Sequence, residues 1–305
     1  MLEVSNLQHK YRFGSQSFSN VSFSVKKGEI LCVYGKEESG KTSLLKTICG
    51  LLPVKKGKVL RDGIDITNNS PEERDFALLH EDGGFFERKT VEYNLSYPLI
   101  VRKQPNEVIH QKLSEVESKF LLTPILSKKI RDLSIEERIK VSFARLFMRE
   151  AKLYLLDDPF KLSAERDKLF QQFFPYIKNL SEKAPVIYAT SDIREVVELQ
   201  TETVILHYGV FLQKGSIESI RKQPACLFTY QLFHPDWKIS VGTIIRKERN
   251  KIVLSMQNSF YELNKEKLLN DIYIGSEVLV CSENGKNIKI FDKNCERLIY
   301  FAEMD

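Results

Sequence analysis

An α/β domain with a largely parallel sheet, followed by a small β-barrel domain, is the architecture this sequence predicts. Three observations lead there. The short apolar run Glu29-Ile-Leu-Cys-Val-Tyr34 enters a glycine-bearing loop, Gly35-Lys36-Glu37-Glu38-Ser39-Gly40-Lys41-Thr42, and then a helical segment. Further apolar strands alternate with helical stretches, the pattern of a sheet covered by helices. Near His234-Pro-Asp-Trp237 the character changes to short alternating strands.

In chain order, Val21-Ser-Phe-Ser-Val25 alternates like a half-buried strand and ends in the turn Lys26-Lys-Gly28. Glu29–Tyr34 is continuously apolar, as expected of a strand covered on both faces. Ser43 to Leu51 is helical in pattern, and Val91 to Arg131 is helical and rich in charge. In Asp132-Leu-Ser-Ile-Glu-Glu-Arg138, Ser134 and Glu137 form a Ser-x-x-Glu capping box. Ile139, Val141, Phe143, Leu146 and Phe147 give the helix that follows its apolar stripe. Strands return at Leu153–Leu156, Pro185–Ala189 and Thr203–Leu206. The tail offers Ile239–Ile245, Lys251–Met256, Glu277–Cys281, Ile288–Phe291 and Leu298–Phe301, separated by Asn, Gly and Lys turns. That spacing suggests a barrel or sandwich of about seventy residues. The expected domains are 1–234, with a helical subdomain at about 88–150, and 235–305.

Composition narrows the function classes. With 305 residues, 42% of them hydrophobic, the chain buries a large core and has room for two domains. The net charge of +5 comes from 46 basic residues spread among 41 acidic ones, with no basic run interleaved with aromatics. Nucleic acid is therefore not expected as a partner. The five cysteines form no close pair, which fits a reducing compartment. No signal-type segment opens the sequence, and no stretch reaches the ~18 apolar residues of a membrane span.

Gly35–Thr42 fits the pattern G-x-x-x-x-G-K-[ST], which arises by chance in roughly one chain per hundred of this length. Its place between a strand and a helix makes the match more specific. Glycines let backbone N–H groups curl around phosphate oxygens, and the helix N-terminus adds its positive end. Lys41 adds a charge, and the Thr42 hydroxyl is placed to ligate Mg²⁺. Asp157, at the end of the apolar run Leu153–Leu156, is then the carboxylate expected beside that ion.

With these motifs in place, the sequence resembles the ATP-binding-cassette (ABC) ATPases, which have a P-loop NTPase fold. The likeness is to the subunits that drive bacterial importers of sugars and polyamines, and it covers nearly the whole chain. Phe18–Ile30 with Gly35–Thr42 resembles the family's opening strands and phosphate loop. Tyr11, with Phe13 as a rival, falls about where the family stacks an aromatic ring on adenine. Phe85-Phe86 through Asn94 resembles the segment that faces the membrane partner, although an aromatic pair is also ordinary core. Pro224–Phe228 and the tail resemble the lead into the small OB-like regulatory domain of importer ATPases. Trp237 is expected to seal the junction.

The departures are concentrated at catalytic positions. Asp158 stands where the resemblance implies a catalytic glutamate. It is one methylene shorter, and a displacement near 1 Å can cost on the order of 100-fold in rate. Glu81 takes the place of a glutamine that helps to hold Mg²⁺ and water, with His80 as a possible substitute. Ser191, in Thr190-Ser191-Asp192, replaces a histidine. Lys161-Leu-Ser-Ala164 replaces an interface loop close to Ser-Asn-Leu-Asp. Leu133-Ser-Ile-Glu-Glu137 replaces the signature Leu-Ser-Gly-Gly-Gln, and no glycine occurs between Gly84 and Gly209. Ile135 blocks close backbone approach to a phosphate, and Glu136 and Glu137 bring charge of the wrong sign.

The resemblance implies an ATP-binding importer subunit, with ATP and Mg²⁺ as ligands and a peripheral location on the cytoplasmic face of the membrane. It also implies a second ATP-binding subunit, two transmembrane permease subunits and, indirectly, an extracellular solute-binding protein. The losses imply weakened hydrolysis and a consensus partner that does most of the turnover, with carbohydrate as the expected solute. A slow homodimeric transport ATPase and a non-transport regulatory or assembly module remain the alternatives.

Overall fold

The computed structural model describes residues 1–11, 16–235, 239–248, 251–257, 259–264, 268, 272–283 and 286–302. Phe13 and Trp237, both singled out above, lie outside the described residues. The chain divides into two compact units, Met1–Phe211 and Leu212–Asp305.

The first unit is built on a sheet that is ten-stranded among the described residues and whose strand β10 runs on past Phe211. Its strands are β1 (Leu2–Lys10), β2 (Gln16–Val25), β3 (Ile30–Tyr34), β4 (Lys56–Arg61), β5 (Ile64–Asp65), β6 (Phe76–Leu79), β7 (Leu153–Asp157), β8 (Val186–Thr190), β9 (Glu202–His207) and β10 (Val210–Ser216). Their order is β5-β4-β1-β2-β10-β9-β3-β8-β7-β6. The β1, β2, β4 and β5 side is antiparallel, whereas β9, β3, β8, β7 and β6 run parallel. Every residue of β3, β7 and β8 is buried, which is why these strands read as unbroken apolar runs.

Helices supply the cover. They are α1 (Lys41–Cys49), α2 (Pro71–Arg74), α3 (Val91–Ile100), α4 (Asn106–Phe120), α5 (Ile135–Phe147), α6 (Arg166–Lys183) and α7 (Ile193–Leu199). α1 packs on β6, β7 and β8, while α6 lies on β8 and α7 on β3 and β8. The core joins Leu31 and Val33 of β3, Leu44, Leu45 and Ile48 of α1, and Leu153 and Leu155 of β7. Leu155 is fully buried, so truncating it to alanine costs about 2–5 kcal/mol. The stretch Val91–Arg131 forms two helices, α3 and α4, and then only short 3₁₀ turns at Thr123–Ile125 and Ile130–Asp132. Leu121, in the left-handed region at φ 51, stops α4.

The second unit holds α8 (Ile217–Lys222), α9 (Leu227–Gln231) and an antiparallel sheet that is six-stranded among the described residues. Its strands are β11 (Ile239–Lys247), β12 (Lys251–Met256), β13 (Ser259–Asn264), β14 (Glu277–Glu283), β15 (Lys286–Asp292) and β16 (Leu298–Ala302), in the order β13-β12-β11-β14-β15-β16. An isolated bridge pairs Leu268 with Tyr300 of β16. Ile244, Ile252, Leu254, Val278, Val280 and Ile290 form the core. The unit begins earlier than the composition change at 234/235 because Leu227 and Tyr230 of α9 pack with Cys281, Phe291 and Leu298. β13 was not anticipated: four of its six positions are exposed in succession, so its sequence shows no alternation.

Candidate functional site

The loop Gly35–Gly40 leads from β3 into α1 without a side-chain cap and without an acidic residue in the first turn. Gly40, the residue before the helix, sits at φ 94. A side chain there would collide with the carbonyl oxygen of Ser17. The first-turn N–H groups of α1 are thus offered to an external acceptor, at the positive end of the helix dipole. The buried Lys41 folds back over the loop and donates from Nζ to the carbonyl oxygens of Gly35 (2.5 Å) and Lys36 (3.0 Å) and to Ser39 Oγ (3.5 Å). Burial lowers its pKa, while the carboxylates of Asp158 and Asp157 support its charge.

Thr42 Oγ1 donates to Asp157 Oδ1 at 3.2 Å, joining the start of α1 to the end of β7. The other oxygen of that carboxylate, Oδ2, is buried with no hydrogen-bond partner. Burial raises the pKa of Asp157. A hydroxyl and a partnerless carboxylate oxygen fit a hard divalent cation, so Thr42 and Asp157 are the residues that would hold Mg²⁺. Bound there, the ion would supply charge neutralisation for phosphate oxygens.

Asp158 and Ser191 are brought together, but as partners of each other. Asp158 Oδ2 accepts from the backbone N–H of Ser191 (3.1 Å) and from its hydroxyl (2.7 Å). Asp158 Oδ1 accepts from Arg166 Nη2 at 2.5 Å. Arg166, at the start of α6, also donates to Glu195 Oε1 (2.7 Å) and Thr190 Oγ1 (2.7 Å). Tyr188 donates to Glu195 Oε2 at 2.8 Å. Burial opposes the charge of Arg166, yet Glu195 and Asp158 outweigh it and raise its pKa. Burial, followed by Glu195, pushes the Tyr188 phenol well above its ordinary range. Asp158 itself is 3% exposed and held at φ 46, a left-handed backbone that aspartate tolerates better than most residues.

Glu81 borders the cleft in front of the loop, and Lys161 pairs with it at 3.2 Å and with Glu37 of the loop at 3.4 Å. His80 turns away toward Asp82, with its Nδ1 at 3.0 Å from Asp82 Oδ1. The cleft, of about 840 Å³, is lined by Tyr11, Ser17, residues 37–43, Glu81, Asp157, Asp158, Lys161 and Tyr208. Tyr11 is exposed, and its hydroxyl lies 3.0 Å from Ser43 Oγ. Phe86 is exposed and meets the rings of Tyr93 and Tyr97 of α3 edge-on, while Phe85 lies under the guanidinium of Arg145.

The segment Leu133–Glu137 closes on itself. Ser134 Oγ accepts from Glu137 N (3.2 Å), and Glu137 Oε2 accepts from Ser134 N (2.9 Å). Ser163 Oγ donates to Glu136 Oε1 at 3.4 Å. Sequence reasoning missed Lys161 as a wall of the cleft, and it missed Arg166, Glu195 and Tyr208. Tyr208 precedes Gly209, a turn signal that could have placed it on a loop. Arg166 and Glu195 belong to no spacing pattern and meet because α6 and α7 both pack against β8.

Strand, glycine loop, inward lysine and uncapped helix together define a P-loop nucleotide-binding domain. Residues 18–161 match the family model described as ABC transporter. The spermidine/putrescine import ATP-binding protein PotA of Borrelia garinii subsp. bavariensis is 29% identical over 231 residues, 75% of this chain and 66% of that protein. The sn-glycerol-3-phosphate import ATP-binding protein UgpC of Psychromonas ingrahamii is 30% identical over 229 residues, 74% of this chain and 61% of that protein. The chain thus spans less than two thirds of the length of these relatives. A nucleotide-free ATP-binding cassette from an ABC transporter shares the fold with a TM-score of 0.65 at 21% identity, covering 76% of this chain and 98% of that one. The chain thus carries an ABC transporter domain, and the relatives it resembles are import ATP-binding proteins. Among the described residues no helix is long and apolar enough to cross a membrane.

Proposed function

We propose that this chain is the ATP-binding subunit of a bacterial ABC importer, one that binds ATP with Mg²⁺ but hydrolyses it poorly and works beside a consensus ATP-binding subunit. The observation that carries this reading is the state of Asp158. A general base must reach the attacking water, but here both carboxylate oxygens are taken, one by Arg166 and the other by Ser191. The two positions that the resemblance assigns to catalysis thus satisfy each other. The binding parts are intact by contrast: Lys41, Thr42, the open start of α1 and the free oxygen of Asp157 all face one cleft.

The mechanism of this chain is then one of holding. First-turn N–H groups of α1 and Lys41 would grip the phosphates, Thr42 and Asp157 would fix the metal, and Tyr11 would cover the base. The exposed Phe86 beside Tyr93 and Tyr97 supports a dock for one of two permease subunits. The pairing of Leu268 with Tyr300 brings the segment after one edge strand to the other edge, which supports an OB-like barrel for the tail. Carbohydrate is the solute expected from the resemblance; the relatives' names specify polyamines and sn-glycerol-3-phosphate instead. The choice of solute belongs to membrane and solute-binding subunits.

The test is ATP turnover by the purified chain, alone and co-expressed with its native partners. Tight Mg-ATP binding with little turnover alone is expected, and Asp158→Glu with Ser191→His should raise turnover about 100-fold in a mixed complex whose partner has been made hydrolysis-deficient. Turnover near the usual enzyme value of about 10 s⁻¹ by the chain alone would end the proposal.

A further inference from the structure

The cleft in front of the phosphate loop has an unfavourable charge for its ligand. Its lining carries the carboxylates Glu37, Glu38, Glu81, Asp157 and Asp158. Among the described lining residues, the ammonium groups that answer them are Lys41 and Lys161. Asp157 stands beside Thr42 at the expected metal position, and Asp158 is held by Arg166. That leaves Glu37, Glu38 and Glu81 to face a terminal phosphate bound in the cleft. Each would repel it unless a cation intervened.

Lys161 is built to intervene. Phe160, fully buried and stacked on Phe143 of α5 at 5.5 Å, anchors the loop from which it emerges. The Lys161 backbone N–H donates to the Asp158 carbonyl at 3.1 Å, which fixes the direction of the turn. The side chain is 32% exposed, and its partners are two acids of the cleft: Glu81 (35% exposed) and Glu37 (77% exposed). Pairs this open to water contribute little to folding and are cheaply rearranged. Arg166, buried against Glu195, has no such freedom. An ammonium group has three N–H donors, enough to keep Glu81 and still serve a further oxygen.

We propose that Lys161 is a second phosphate-binding cation of this cleft, donating to the terminal phosphate of a bound nucleoside triphosphate while it screens Glu81 from it. This rests on the nucleotide-binding reading above. It predicts a preference for triphosphate over diphosphate that comes from Lys161 and not from Lys41, whose loop embraces the phosphates common to both.

The experiment is calorimetric titration of the full chain with Mg²⁺ and either a non-hydrolysable ATP analogue or ADP, in wild type, Lys41→Ala, Lys161→Ala and the pair Lys161→Ala/Glu81→Gln. Lys161→Ala should weaken the triphosphate about tenfold or more and leave ADP nearly unchanged; the ADP arm also shows that the variant is folded. The double variant should remain weaker than wild type. Equal affinity of wild type and Lys161→Ala for the triphosphate would overturn the proposal. So would full recovery in the double variant, which would reduce Lys161 to a neutraliser of Glu81. Either result, obtained with binding that still depends on Lys41, leaves the nucleotide reading standing. Binding indifferent to Lys41→Ala removes both.

Discussion

Helices α1 and α5 both begin after a loop at a small residue, and their first turns are finished in opposite ways. α1 starts behind Gly40, with no side-chain cap and no acid, so its N–H groups wait for an external anion. α5 starts behind Ser134, with a reciprocal capping box and with Glu136 and Glu137 in its first turn. The orphan donors at a helix start must be satisfied by something. In α1 a ligand can do it, whereas in α5 the chain's own side chains already have. The two starts thus differ in what they leave for a ligand: open donors at α1, satisfied ones at α5. In a sandwich of two ATP-binding subunits, this chain would offer a complete phosphate cradle and a sealed lid.

The comparison is broken most directly by reopening α5. Ile135→Gly, Glu136→Gly and Glu137→Gln together remove a branched side chain and two charges that would oppose an anion bound across a dimer. Like-charge juxtaposition costs several kcal/mol, so ATP-dependent self-association should tighten roughly a hundredfold or more. The two glycines cost about 1 kcal/mol each in helix stability. Analytical ultracentrifugation with Mg²⁺ and a non-hydrolysable ATP analogue reads the association. No change in the monomer–dimer balance would show that α5 does not face a nucleotide across the dimer.

The contrast was half legible in the sequence. Ser134 and Glu137 announce the capping box at their correct places, and Gly35–Thr42 announces the open loop, because caps and phosphate loops are local chemistry with fixed spacing. Fully buried strands such as Leu153–Asp157 are legible for the same reason, since their apolar runs need no partner to be recognised. The state of Asp158 was not legible. Its acceptance from Ser191 and Arg166 depends on β7 lying beside β8 and on α6 returning over β8, which no spacing encodes. Lys161 was visible only as a departure from an interface loop; its role depends on Glu37 and Glu81 arriving from two other loops. The first strands, β1 and β4, went unread because their exposed, charged positions mask the alternation.

A smaller effect sharpens the comparison. Ser134→Ala removes the acceptor for Glu137 N and half of the capping box. Loss of such a cap costs about 1 kcal/mol, to be seen as a lower urea midpoint for the first unfolding transition. Nucleotide affinity should not move, because α1 makes the cradle. A large loss of ATP binding with Ser134→Ala would mean that the two helix starts are coupled.

The smallest effect distinguishes charge from geometry at α5. The carboxylate of Glu136 is held below its ordinary pKa of 4.5, first by a hydrogen bond from its own backbone N–H and then by the Ser134 and Ser163 hydroxyls. A carboxyl whose pKa is lower in the folded chain favours folding above the ordinary value, and that contribution disappears as pH falls through the lower, folded value. The difference in melting temperature between wild type and Glu136→Gln should therefore be constant at neutral pH and shrink once the pH drops below 4.5. Full solvent exposure keeps the difference small, and added salt should reduce it further, because this carboxylate also gains from the positive end of the helix. A difference that persists unchanged on the acid side would mean that Glu136 supports the turn by shape alone. The charge brought against an incoming phosphate would then be a cost without a compensating gain in the helix.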